Sequence, residues 1–167
     1  MLNIYNNSFT RKSIADRPII SPIYDNKSQF YLYEPYSLYF IYKDKLSVKR
    51  KIKIFIPSNF IFDGASIPRF FWRVVGFPLS PKFIVAALIH DVLFGKIDNR
   101  VKIWEEGKLL KSDEAEHLFD QKNCDIVFRG ILYEEKNSGW KVRSMYRALR
   151  VAGRFCFRKS DNMFYKD

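Results

Sequence analysis

The stretch Phe83-Ile84-Val85-Ala86-Ala87-Leu88-Ile89-His90-Asp91-Val92-Leu93-Phe94 is apolar except at the adjacent pair His90-Asp91. Ser80 and Pro81 precede it as a cap and a first-turn proline, and Gly95 follows where a helix stops. These signals predict a helix over residues 80–94. Because it is apolar on nearly every face, this helix must be central and covered on more than one side. An imidazole and a carboxylate buried inside it cost several kcal/mol unless they are paired, hydrogen-bonded or bound to a metal. The fold therefore has to bring partners to His90 and Asp91.

The covering layer is legible upstream. Aromatic and β-branched residues crowd Phe30 to Tyr42, and Val48, Arg50, Ile52, Ile54 and Ile56 alternate with Lys49, Lys51 and Lys53. A period of two predicts strands with one face turned inward. The break at Lys43-Asp44-Lys45 predicts a hairpin, and Arg17 to Pro35 adds an edge strand. Asp63-Gly64 marks a turn, and Ser66-Ile67-Pro68 opens a short apolar helix or turn running to Val75.

Downstream, Lys96 to Lys111 reads as a polar connector with a small hairpin near Val101 to Trp104. Ser112 then caps an acidic first turn, Asp113-Glu114-Ala115-Glu116, on a helix that runs to about Asn123 and resumes through Leu132. Glu134 to Gly139 is a loop, and Trp140 to Arg158 a final amphipathic helix. The expected architecture is α+β, a single domain with an N-terminal antiparallel sheet packed against about three helices. Residues 1–28 form an arm or edge strand, 29–158 the domain and 159–167 a tail.

With 167 residues and 47% hydrophobic content the chain has room for one core. Its net charge of +11 favours polyanionic neighbours: nucleic acid, an anionic membrane surface or an acidic protein. Cys124 and Cys156 are too few for a disulfide scaffold and point to a reducing compartment. Met1 to Thr10 carries no signal-peptide pattern, and no stretch of membrane-spanning length is free of charge, so neither secretion nor a membrane span is expected.

The candidate chemistry gathers around the central helix. Asp63 and Ser66 in the preceding turn, His90 and Asp91 on the helix, and Glu116 on the next helix are the residues able to satisfy one another. Asp63, Ser66, His90 and Asp91 are the candidate catalytic set. His90, Asp91 and Glu116 are the candidate ligands of a divalent metal, because imidazole with carboxylates suits Mg, Mn, Fe or Zn. The bland alternative is a structural polar network of the same residues. The His-Asp doublet resembles that of metal phosphohydrolases, but their pattern needs a further upstream histidine, and His90 and His117 are the only two here. No nucleophile elbow or glycine-rich phosphate loop is present. On the last helix Arg143, Arg147, Arg150, Arg154 and Arg158 fall within an arc of roughly 80°, either a solvated face or an anion- or partner-binding stripe.

The run Phe60-Ile61-Phe62-Asp63-Gly64-Ala65-Ser66-Ile67-Pro68-Arg69, with Trp72, Ala86-Ala87-Leu88-Ile89-His90-Asp91-Val92-Leu93 and Ala115-Glu116-His117-Leu118-Phe119, resembles the phage- and prophage-associated domain of unknown function 1353. The likeness extends over about residues 48 to 155. The chain departs from that pattern with Phe94 in place of Tyr, Glu116 in place of Asp, and extra residues near Lys96 to Lys111 and Glu134 to Gly139. The resemblance implies a phage origin and a place in the host cytoplasm or the virion, and it names no substrate. The leading expectation is a phage-encoded accessory or virion protein, tail- or particle-associated. It would bind other virion subunits, an acidic protein or nucleic acid through its basic surface. The rival is a metal-dependent hydrolase of a phosphate ester, peptide or cell-wall bond.

Overall fold

The computed structural model describes residues 10–12, 17–23, 29–62, 83–135, 137–157 and 161–165, with the backbone alone at 10–12, 152 and 154–156. The expected turn at Asp63-Gly64, the short element after Ser66, and Ser80-Pro81 lie outside these residues. Among the described residues the elements are β1 (Thr10–Lys12), β2 (Ile20–Pro22), β3 (Phe30–Leu32), β4 (Tyr36–Lys43), β5 (Lys49–Ile56), β6 (Phe60–Phe62), α1 (Ile84–Phe94), β7 (Lys102–Glu105), β8 (Lys108–Leu109), α2 (Ser112–Leu118), α3 (Gln121–Glu134), α4 (Gly139–Cys156) and β9 (Met163–Phe164). They form two antiparallel sheets, β1-β4-β5-β7-β8 and β2-β3-β6-β9, and four helices, an α+β architecture.

The β4–β5 hairpin carries the larger sheet, and its alternation sorts the two faces. Tyr36, Leu38, Phe40 and Tyr42 on β4 and Ile52, Ile54 and Ile56 on β5 are buried, while the residues between them face outward. Register pairs Tyr42 with Arg50 and Lys43 with Lys49. The turn is held by Asp44, whose carboxylate accepts the N–H groups of Leu46 and Val48 at 2.8 and 2.9 Å and the Nε–H of Arg50 at 3.1 Å. Arg50 also donates to Glu105 on β7 at 2.7 Å. Residues 106–107 close the β7–β8 hairpin with positive φ at Glu106 (49°) and Gly107 (87°), the backbone that a two-residue turn requires.

The core joins the inward face of the larger sheet to α1, α3 and α4. α1 is buried along nearly its full length, from Ile84 to Leu93 apart from half-buried Asp91, and packs on α3 and on β6. Gly95 ends the helix as expected, but with φ −75°, so the stop uses extended backbone and not the left-handed conformation that favours glycine.

Two helix boundaries differ from the expectation. Lys111, not Ser112, stands at the start of α2, where its N–H donates to Glu114 Oε2 at 2.9 Å; Ser112 Oγ donates instead to Asn99. The break after α2 also comes earlier, because Asp120 accepts the N–H of Asn123 at 2.8 Å and starts a new helix at Gln121. That junction is tied to the β4–β5 turn: the Lys45 N–H donates to Asn123 Oδ1 at 3.0 Å, and Lys45 Nζ pairs with Asp120. Strands β1 and β2 each take a sheet edge. β9, which the sequence did not announce, pairs with β6 through Phe60–Phe164 and Ile61–Met163.

Burial pushes the Asp44 carboxyl up, but the Val48 N–H, the Arg50 guanidinium and the Leu46 N–H outweigh it and hold the group below its ordinary value. A depressed carboxyl contributes stability that is complete above its unfolded value near ~3.9 and disappears as pH falls through the folded value. Asp44→Asn therefore lowers the melting temperature at neutral pH, and the gap to the parent closes as pH falls through the depressed folded value. A gap independent of pH, read from thermal melts, rules this account out.

Candidate functional site

His90 projects from α1 into the contact with α3 and is 2% exposed. Its Nε2 lies 3.1 Å from Asp125 Oδ1, and Asp125, on α3, has no exposed surface. Asp125 Oδ2 in turn accepts from Nη1 of Arg150 on α4 at 3.0 Å. One carboxylate thus links three helices. A carboxylate acceptor places the imidazole proton on Nε2 and leaves Nδ1 with a lone pair. Nδ1 is buried without a hydrogen-bond partner among the described residues, 4.0 Å from Asp91 Oδ1. The ring stacks on Phe94 at 4.7 Å and meets the edge of Phe128 at 5.2 Å, so aromatic walls fix its plane. Cys124, beside Asp125, contacts the carbonyls of Leu93 and Phe119 at 3.3 Å each.

This arrangement adds a residue to the expected set. The partner of His90 among the described residues is Asp125, which sequence reasoning did not single out. The available signal was the one used for His90: a carboxylate inside an apolar helical run, Cys124-Asp125-Ile126-Val127-Phe128. Glu116 Oε1 accepts the N–H of Ile97 at 2.8 Å and so pins the connector after α1. Although His90, Asp91 and Glu116 are all described, no group of three or more His, Cys, Asp and Glu among the described residues could hold a metal ion. Asp63 and Ser66 lie outside the described residues.

The arginine arc divides as well. Arg143 and Arg147 are exposed, Arg150 turns to Asp125 and keeps 30% of its side chain accessible, the Arg154 side chain is not described, and Arg158 lies outside the described residues. At about 100° per residue Arg150 stands at the margin of the arc, about 20° from Arg143 toward Tyr146 and Val142. From there a long side chain reaches α3. Within the expected stripe, Arg150 is therefore the member that pairs with Asp125. Met145, Ala148 and Leu149 on the opposite side are buried, as the pattern requires.

A second surface stands out on the larger sheet. Its outward positions are Ser37, Tyr39, Ile41 and Lys43 on β4, Lys49, Lys51, Lys53 and Phe55 on β5, Lys102 and Trp104 on β7, and Leu109 on β8. None of these positions is acidic. Lys43 lies directly across from Lys49, and Lys49, Lys51 and Lys53 follow one another on the same face. Like charges so placed destabilise a sheet. Lys51 has a counter-ion in Glu106 at 3.3 Å, whereas Lys49, Lys53 and Lys102 form no ion pair among the described residues. Other acids are engaged elsewhere: Asp44 and Glu105 by Arg50, Asp98 by Arg100, Asp120 by Lys45 and Glu114 by Lys108. Among the described residues no helix is long and apolar enough to cross a membrane.

Removing one partner from a buried ion pair costs about 3–5 kcal/mol, because the charge left behind has no compensation. Asp125→Ala should destabilise by that amount in denaturant titration. Arg150→Ala should cost at least as much, because the carboxylate it leaves behind is fully buried, whereas the guanidinium left by Asp125→Ala keeps access to water. In a double-mutant cycle, His90→Ala and Asp125→Ala should be strongly non-additive; additive losses would show that the two side chains do not act on each other.

No curated protein and no solved structure matches the chain. A family profile does match, over residues 39–149, a stretch that contains most of β4, all of β5 and α1, His90 and Asp125 and is described as a protein of unknown function, DUF1353. The match covers more than half of the sequence, and the chain belongs to the DUF1353 family.

Proposed function

We propose that the protein binds a polyanionic partner through the outward face of its five-stranded sheet, as an accessory or virion protein encoded by a phage. The observation that carries this reading is the row Lys49, Lys51 and Lys53 on one face, with Lys43 directly across from Lys49, where strand pairing disfavours like charge. Sites that break a local stability rule are where function is sought first. A polyanion laid across the row relieves the repulsion and releases its own counterions. The exposed arginines of α4, Arg143 and Arg147, add to the positive field. The phage setting, with a place on the tail or particle, is the one that the family resemblance implies.

Replacing Lys49, Lys51 and Lys53 together with Gln leaves the inward face untouched and removes the repulsion, so the variant should melt at or above the parent. Its affinity for heparin or nucleic acid at low salt should drop, and the slope of log affinity against log salt should fall by about 2–3, one phosphate-type contact per lysine. Unchanged affinity and slope in the triple variant overturn the proposal.

A second reading, an enzyme hydrolysing a phosphate ester, peptide or cell-wall bond, draws on one observation. The His90 imidazole is oriented by a carboxylate at Nε2 and presents a buried lone pair at Nδ1 near Asp91, which is the equipment of a general base once substrate or water reaches it. If this reading holds, His90→Gln abolishes release of nitrophenol from bis-nitrophenyl phosphate or of fragments from peptidoglycan. Absence of any turnover by the parent, with and without added divalent metal, eliminates it.

A further inference from the structure

We infer that the polyanion taken by the outward sheet face is a single-stranded nucleic acid, its bases received by Trp104, Tyr39 and Phe55 and its phosphates by Lys49, Lys51, Lys53 and Lys102. This rests on the reading of that face as a polyanion surface and narrows the partner. The added observation is the placement of the rings. Across the ladder Tyr39 lies opposite Lys53, Lys53 opposite Trp104, and Phe55 opposite Lys102. Rings and ammonium groups therefore alternate from strand to strand at the inter-strand spacing of about 4.7–4.9 Å.

Each feature selects against the other polyanions. A purely electrostatic surface has no use for three half-buried aromatic residues on the face opposite the core. In a duplex the base faces are stacked on one another and offer the rings nothing, whereas a single strand exposes a π-face with every base. An acidic protein supplies charge but no regular series of planar groups. Lys53 Nζ sits 5.0 Å from the centroid of Trp104, a cation–π contact that covers the indole in the free protein. An arriving base takes that place on the ring, and the displaced ammonium is then free to meet the adjoining phosphate. The open sheet face imposes no groove geometry and reads no base edges, so binding tolerates many sequences.

The test is fluorescence anisotropy with labelled oligothymidylate, oligouridylate, a duplex of the same length, and heparin as competitor. The expected result is tighter binding of one or both single strands than of the duplex. Their relative strength shows whether DNA or RNA is preferred. Trp104→Ala should weaken single-strand binding roughly ten- to a hundredfold while heparin binding stays at the parental level. Trp104→Phe, which keeps a π-face, should restore most of the loss. Tyr39→Ser provides an independent ring deletion if Trp104→Ala melts below the parent. Equal affinity for duplex and single strand, or ring deletions that leave single-strand binding unchanged, overturns this inference while the broader polyanion reading stands. Failure of heparin and of every oligonucleotide to bind overturns both.

Discussion

An apolar helix that carries an imidazole has to be enclosed and hydrogen-bonded at the same time, and α3 meets both demands. Its apolar residues, Ile126, Val127, Phe128 and Ile131, help to close over α1, and between them Asp125 offers one oxygen to His90 and the other to Arg150. The helical layer is thereby fixed in register. A helix pair packed by aliphatic residues alone can slide with little change in energy, whereas a buried carboxylate with two partners is satisfied in one alignment only. The β4–β5 hairpin is then anchored to this layer from the other side, through the contacts of Lys45 with Asn123 and Asp120 at the start of α3.

The same alternation that builds the core also sorts the charges. On β5, Ile52, Ile54 and Ile56 point inward and Lys49, Lys51 and Lys53 outward, so every added pair of residues contributes one unit to the core and one to a positive surface. Arg50 is the exception on the inward side, and it is the residue given two carboxylates, Asp44 and Glu105. Described acids accordingly serve turns, caps and the sheet end, and the outward face is left with lysines and rings. The basic surface follows from the strand pattern combined with this internal use of the acids, with net charge only its coarse indicator.

The sequence disclosed the elements better than their joints. The period-two run of β5, the hairpin break before it, the hairpin near Val101 to Trp104 and the arginine-bearing final helix all match the described structure, because each is encoded by local alternation or helical spacing. Asp120 was missed as a helix start, because an aspartate in a polar stretch looks like surface until its carboxylate is seen accepting the Asn123 N–H. Lys111 in place of Ser112 shows the same limit: the capping contact is made by Glu114, three residues on. Strand β9 consists of two residues and depends on pairing with β6, so no local pattern could mark it.

For the buried cluster the division is sharper. That His90 needed a partner was determined by sequence, since an imidazole in an apolar helix carries a desolvation cost wherever the rest of the chain goes. Which residue met that need was decided only by tertiary structure. Glu116 is nearer in sequence and equally acidic, but its carboxylate closes on Ile97, while Asp125 lies on the helix face that packs against α1. Arg150 was likewise placed on a face by periodicity, and its pairing with Asp125 was decided by reach, because a residue at the margin of an arc can extend to either side. Local sequence fixes which groups cannot remain unsatisfied in a core, whereas the packing of helices, set by the whole apolar surface, selects the group that comes within hydrogen-bond distance of each.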